Sequence, residues 1–184
     1  RGLRPIRCPR ACGGAIPPRL IRDFAIPDAL LVARATSARM VSPADNKVDI
    51  PIENGFVGMV HRDQFDEWLR ERAANDGAER RVGTFDRISR DTDGTAIVHY
   101  QARPQSGKNE SAPASVRARV IVGADGARSE VARQEVPGAL RTKYVFAYHE
   151  IVRAPQNPPA GYDGSRCDVF YQGTLSPDFY GWVF

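Results

Sequence analysis

The sequence predicts an α+β fold, and three observations carry the prediction. Strand-like alternation recurs between residues 83 and 122 around the turn former Asp93-Gly94. A single stretch, beginning near Asp63, has helical period, with Phe65, Trp68, Leu69 and Ala73 on one side. The apolar run Val120-Ile121-Val122 enters the turn Gly123-Ala124-Asp125-Gly126, and Ser129 follows as a helix cap. At 184 residues, 42% hydrophobic and 26% charged, the chain has ordinary globular composition.

In chain order, residues 12–30 hold a Gly pair, a Pro pair and a short helix-like stretch. Val48–Ile52 alternates as a strand, Asn54-Gly55 turns, and Phe56–Val60 resumes a strand. The helix follows, with Asp63 as its cap and Asp76-Gly77 as its close. Ala78–Val82 reads as a short strand. A meander comes next, with strands at Thr84–Ile88, Thr95–Tyr100 and Val116–Val122 and a polar loop at Pro104–Pro113. A helix starts near Glu130. Further strands are expected at Thr142–Val152, 167–171 and 179–184, with a Pro- and Gly-rich loop at Pro155–Gly164.

The net charge of +4 is local: Arg1, Arg4, Arg7 and Arg10 lie in an eleven-residue tail without acids, and the other 22 bases face 22 acids. A neutral body argues against a nucleic-acid partner. Cys8, Cys12 and Cys167 make no disulfide framework and no zinc spacing, so no metal is expected and a reducing, cytoplasmic setting is. No run approaches the roughly eighteen apolar residues of a membrane span. The missing initiator Met and the apolar run Tyr180–Phe184 at the end suggest an internal fragment.

Several residues permit specific chemistry. Gly123 and Gly126 would let backbone approach an anion, and the following helix start offers amide hydrogens to it. Asp125 repels phosphate but can accept from a sugar hydroxyl, or simply form the turn. Arg62, at a helix start where the dipole disfavours a cation, suits an anionic partner or is merely solvated. Cys12 is either a reactive thiol or a small buried hydrophobe. Tyr180, Trp182 and Phe184 alternate and can share one apolar wall, as pocket lining or as core.

Together these residues resemble a family. Val120 to Ser129 is similar to the Asp-Gly motif of FAD-dependent enzymes with the aromatic-hydroxylase fold. Cys12-Gly13-Gly14-Ala15-Ile16-Pro17, Gly58-Met59-Val60-His61-Arg62 with Phe65-Asp66 and Leu69–Ala73, and Ser176–Phe184 resemble the geranylgeranyl reductases of the chlorophyll and bacteriochlorophyll branch. The resemblance covers residues 12–184. It implies an FAD-binding α/β fold, glutathione-reductase-like, with an antiparallel substrate-domain sheet, of which this chain is an incomplete piece. The implied domains are an atypical Arg-rich tail (1–11), a flavin-facing loop and start of the substrate domain (12–55), part of the FAD domain with the Asp-Gly motif (56–141), and a truncated part of the substrate domain (142–184).

By the same resemblance, Gly123, Asp125 and Gly126 would meet the FAD pyrophosphate and ribityl region, Arg62 its diphosphate side, and Gly13 and Gly14 the isoalloxazine ring. Tyr180, Trp182 and Phe184 would line an isoprenoid pocket. The implied reaction reduces geranylgeranyl double bonds towards phytyl, on the diphosphate or on (bacterio)chlorophyll, with NADPH and FAD, and Cys12 as the proton donor. A substrate this hydrophobic implies peripheral contact with a photosynthetic membrane. The alternatives are a monooxygenase of the same fold and an inactive fragment or basic binding module. Because the family's opening Gly-x-Gly-x-x-Gly unit does not occur in this sequence, these residues by themselves are expected to bind FAD weakly or not at all.

Overall fold

The computed structural model describes residues 12–103 and 111–184. The Arg-rich tail and most of the polar loop after Pro104 lie outside the described residues. The described chain forms two compact units, one taking the residues up to Asp76 together with Val145–Phe184, the other Gly77–Tyr144.

The first unit is built on two sheets. In one, β1 (Ala15–Ile16) and β2 (Leu31–Ala35) flank β5 (Val57–Val60), both antiparallel to it. The other has the order β10-β9-β3-β4, from Gly181–Val183, Arg166–Phe170, Ser37–Val41 and Lys47–Pro51. Only β3 and β9 pair in parallel there, which is possible because more than a hundred residues separate them and no hairpin constrains their direction. Arg39 stands opposite Asp49 on one side and Asp168 on the other. Its guanidinium grips Asp49 with two hydrogen bonds of 2.6 and 2.7 Å. This cross-strand pair explains how an arginine occupies a strand whose pattern does not alternate cleanly.

Helix α1 (Pro18–Asp23) begins at a proline, which suits the first helical turn because its missing N–H would have no partner there. The long helix α2 (Arg62–Asn75) starts two residues earlier than a cap at Asp63 predicts. His61 is its N-cap, without a side-chain cap bond, and Asp63 lies in the first turn, where its charge favours the helix dipole. Gly77 closes it in the left-handed region, φ 96°. Phe65 and Trp68, stacked with centroids 5.8 Å apart, cover a core of Ile16, Ile26 and Val60.

The second unit is the meander, β6 (Gly83–Arg90), β7 (Ala96–Ala102) and β8 (Ala112–Ala118), all antiparallel. Pro113 belongs to β8 rather than to the loop, on an edge strand where a missing N–H is tolerated. Helix α3 (Glu130–Glu135) is capped by Ser129, which accepts from the Ala132 amide at 2.9 Å.

Two expected strands do not form, and a third, Val116–Val122, forms only as far as Ala118. Ala78–Val82 forms no strand: Arg81 turns back onto Glu79 at 2.7 Å, and backbone pairing starts at its last residue, where the Arg103 amide donates to the Val82 carbonyl. Val120–Val122 has no neighbouring strand among the described residues, and the ladder of β8 ends at Ala118. Thr142–Val152 carries apolar residues at strand spacing but forms only an isolated bridge at Ile151. Propensity alone cannot make a strand where no edge receives it.

Candidate functional site

The site is assembled by the return of the chain from β5 into α2. The Val60 amide donates to the Gly14 carbonyl at 3.0 Å, which ties Cys12-Gly13-Gly14 to the end of β5 immediately before His61-Arg62. Gly14 is left-handed, φ 72°, and a side chain there would be driven into the Val60 carbonyl oxygen. A Cβ on Gly13 would come within 2.8 Å of the Phe184 ring and 3.4 Å of the Trp182 indole nitrogen. The two glycines therefore allow contact with strand β5 on one side and with aromatic rings on the other.

The consequence is a connected set of side chains. Arg62 Nη1 donates to Cys12 Sγ at 3.0 Å. Its Nε donates to Asp66 Oδ1 at 2.9 Å, one helical turn along α2, and its Nη2 lies 2.7 Å from the same oxygen. Asp66 is buried, and the pair is half-sheltered from solvent. Burial opposes the charge on Arg62, but its bonds to Asp66 and Cys12 outweigh that penalty and hold the guanidinium more firmly protonated than usual.

Around this set lies a cavity of about 940 Å³. Cys12, Gly13, Arg62, Tyr180, Trp182 and Phe184 all line it. The rings of Tyr180 and Trp182 are 5.8 Å apart and those of Trp182 and Phe184 6.4 Å, so the three form one continuous wall. Phe179 extends this wall by stacking on Tyr180 at 4.1 Å. Phe146, Ile151 and Val152, from the segment expected to be a strand, supply further apolar lining. Asp66 and Phe179 lie within the stretches that carry the resemblance, but the sequence assigns neither a role at the site. Asp66 sits at the i+4 spacing from Arg62, which is the available signal for it.

Gly123, Asp125 and Gly126 stand in the other unit. Asp125 folds its carboxylate back onto α3: it receives Ser129 Oγ, the Glu130 amide at 2.7 Å and the Val131 amide at 3.2 Å. These bonds, the Ser129 one foremost, hold Asp125 below the usual carboxylate range. The first-turn amides that the sequence offers to a phosphate are therefore taken by the protein itself. Gly126 is left-handed, φ 87°, as the turn requires, with open space around it. A Cβ on Gly123 would meet Val131 at 2.9 Å.

For a flavin, the Cys12–Gly14 corner fits. It is a glycine-lined edge of a roomy cavity with an aromatic wall and a fixed guanidinium. Among the described residues no cluster of side chains could hold a metal ion, and no helix is long and apolar enough to cross a membrane.

Residues 23–160 match the model of the family described as FAD binding domain. The chain is 59% identical over 175 residues to a geranylgeranyl diphosphate reductase of Rhodobacter capsulatus, covering 95% of this chain and 42% of that protein. It is 36% identical over 181 residues to a chloroplastic geranylgeranyl diphosphate reductase of Oryza sativa subsp. japonica, covering 95% and 38%. A digeranylgeranylglycerophospholipid reductase of Methanocella arvoryzae is 29% identical over 187 residues, covering 98% and 44%. The chain thus spans about two fifths of the length of these relatives.

Proposed function

The chain belongs to the FAD binding domain family, and from that membership we propose that it is part of a flavin-dependent reductase of geranylgeranyl double bonds, acting in (bacterio)chlorophyll synthesis. The observation that carries the reading is the meeting of Cys12-Gly13-Gly14 with the Tyr180–Trp182–Phe184 wall at one cavity. The names of the reductase relatives supply the substrate class.

Reducing an isolated alkene adds hydride to one carbon and a proton to the other. FAD, reduced by NADPH, supplies the hydride when bound. The protein must hold the chain, exclude water and deliver the proton. The aromatic wall does the first two, because a polyprenyl chain gains by leaving water for it. Cys12 Sγ is the proposed proton source. Arg62, donating to that sulfur from a position fixed by Asp66, stabilises the charge that remains when the proton departs. Gly13 and Gly14 let the corner pack directly against Phe184 and Val60, which holds the thiol at the edge of the cavity where the flavin would lie. Arg62 is thus held by Cys12 and Asp66 rather than free for a diphosphate. A substrate this lipophilic is most accessible from a bilayer surface, which fits a protein peripheral to the photosynthetic membrane.

The test uses the complete protein with whatever flanks this sequence, loaded with FAD. With NADPH, Cys12→Ala should still allow flavin reduction, seen as loss of flavin absorbance, while alkene reduction falls by about a hundredfold, the lower range for removing a general acid. Unchanged product formation removes Cys12 from the mechanism. Oxygen uptake with hydroxylated product in place of alkene reduction would overturn the reductase reading itself.

A further inference from the structure

One wall of the cavity is unlike the others. The lining that comes from β2, β5 and β10 is fixed by backbone pairing within sheets. Residues 146–155, with Tyr162 and Gly164, line the cavity from a stretch that joins no ladder beyond the isolated bridge at Ile151. Its apolar side chains stand in water: Phe146, Tyr148 and Val152 line the cavity yet are 92%, 82% and 70% exposed. A stretch without a ladder lies at the low-stability end of a fold, and it gains by covering apolar surface of this extent. At its far end it is caught by Arg166, the first residue of β9, whose side chain is only 9% exposed. Arg166 Nε and Nη2 donate to Asp168 at 2.5 and 3.1 Å, and Nη2 also donates to the Gly161 carbonyl at 2.9 Å. The guanidinium is therefore seated on the sheet by Asp168 and grips the loop by its main chain. Gly161 is left-handed, φ 90°, with open space where a Cβ would stand.

We propose that residues 146–161 form a strap that closes over the cavity when an isoprenoid fills it, with Gly161 as its hinge and Arg166 as the positioning residue that anchors it. This rests on the isoprenoid reading of the cavity. An apolar chain lying against Trp182 and Phe184 presents a second apolar surface to Phe146, Tyr148 and Val152, and burying them against it drives the closure. A wall held by a ladder could not make this approach. Arg166 keeps the end of the strap at the cavity edge, so that closing orders one short stretch only. Closure also expels water from the place where hydride and proton are delivered.

Hydrogen exchange of the complete FAD-loaded protein, followed by mass spectrometry with and without geranylgeraniol, tests this without requiring turnover. An alcohol that binds only the closed form, supplied at about ten times its dissociation constant, should slow exchange of amides 146–154 about tenfold and leave the β3 and β9 amides as they were. Arg166→Gln should abolish most of that protection. Arg166→Lys should recover part of it, because it keeps a charge beside Asp168 but not the fork that reaches Gly161. Should Arg166→Gln fail to fold, Gly161→Ala takes its place: its methyl meets open space but strains the left-handed hinge, so protection should fall while β3 and β9 exchange as in the wild type. Protection that survives in full in both Gly161→Ala and Arg166→Lys is direct cover by the ligand and overturns the strap. Binding that leaves amides 146–154 unchanged overturns it as well, and the isoprenoid reading then stands alone. Failure of the wild type to bind the alcohol removes both. Binding and protection without alkene reduction remove the reductase proposal and uphold the strap.

Discussion

Gly13 and Gly14 are adjacent and do different work, which a pair of substitutions separates. At Gly14 an alanine faces two obstacles at once, a left-handed backbone and the Val60 carbonyl oxygen. Neither can move without breaking the hydrogen bond that ties this corner to β5, so Gly14→Ala should cost about 2 kcal/mol and lower the melting temperature. At Gly13 the obstacle is the Phe184 ring, 2.8 Å from the added carbon. A ring at the end of a short strand can swing aside, so Gly13→Ala should be nearly neutral in stability but narrow the cavity and raise KM for the isoprenoid. Thermal melts and steady-state kinetics on both variants check this, and a larger loss of stability at Gly13 than at Gly14 would contradict it. Of the residues singled out from sequence, Cys12, Gly13, Arg62, Tyr180, Trp182 and Phe184 line one cavity, whereas Gly123, Asp125 and Gly126 stand in the other unit. Asp66 is marked only by its i+4 spacing from Arg62, and its importance lies in the guanidinium that the fold places opposite it.

At the scale of elements, α3 shows how one side chain decides what a turn can do. Asp125 and Ser129 together satisfy the Glu130, Val131 and Ala132 amides, so α3 owes its start to a carboxylate four residues upstream of its cap. The hydrogen bond from Ser129 is the main reason Asp125 stays ionised below the usual carboxylate range of 3.8. A depressed carboxylate stabilises the fold above its unfolded pKa and loses that contribution as pH falls through its lower folded value. Melting of the Gly77–Tyr144 unit should therefore shift downward as pH drops below about 4, and Asp125→Asn should start lower at neutral pH and be less sensitive to acid. Melting curves of both proteins between neutral and acid pH that run parallel throughout would refute this. The two units together mark the limits of reading strands from sequence. The β6–β8 meander was legible because its partners are sequence neighbours joined by a turn. Strand β3 was not, because its pattern is interrupted by Arg39 and its parallel partner β9 lies far along the chain. Thr142–Val152 errs in the opposite direction, since it has strand composition but no ladder.

For the whole molecule, the decisive quantity is apolar surface left in water. The buried hydrophobic core of the described residues is small, with Val41 its most enclosed side chain. By contrast Val122 is 83% exposed and Leu140 80% in the Gly77–Tyr144 unit, and Phe146 is 92% exposed in the other. Apolar groups this open usually mark a face meant for another surface or for a ligand. Val120 and Val122 carry the further liability of a β-branched segment whose backbone joins no ladder among the described residues, a combination that favours edge-to-edge association. A polypeptide of these 184 residues alone should therefore self-associate at micromolar concentration and brighten an apolar dye. Because β8 ends its pairing at Ala118, threonine at positions 120 and 122 should leave the meander intact: Val120→Thr with Val122→Thr should reduce dye binding and shift sedimentation towards the monomer without changing the melt of the sheet. The Phe146 surface should behave differently, because it lines the cavity and can be covered by ligand. Geranylgeranyl diphosphate should quench the dye signal that remains in the double-threonine variant, and should do so less once Phe146→Ser is added. A monodisperse, dye-silent wild type would show that these side chains find cover in solution. A residual signal insensitive to the ligand would show that the Phe146 surface serves something other than the cavity.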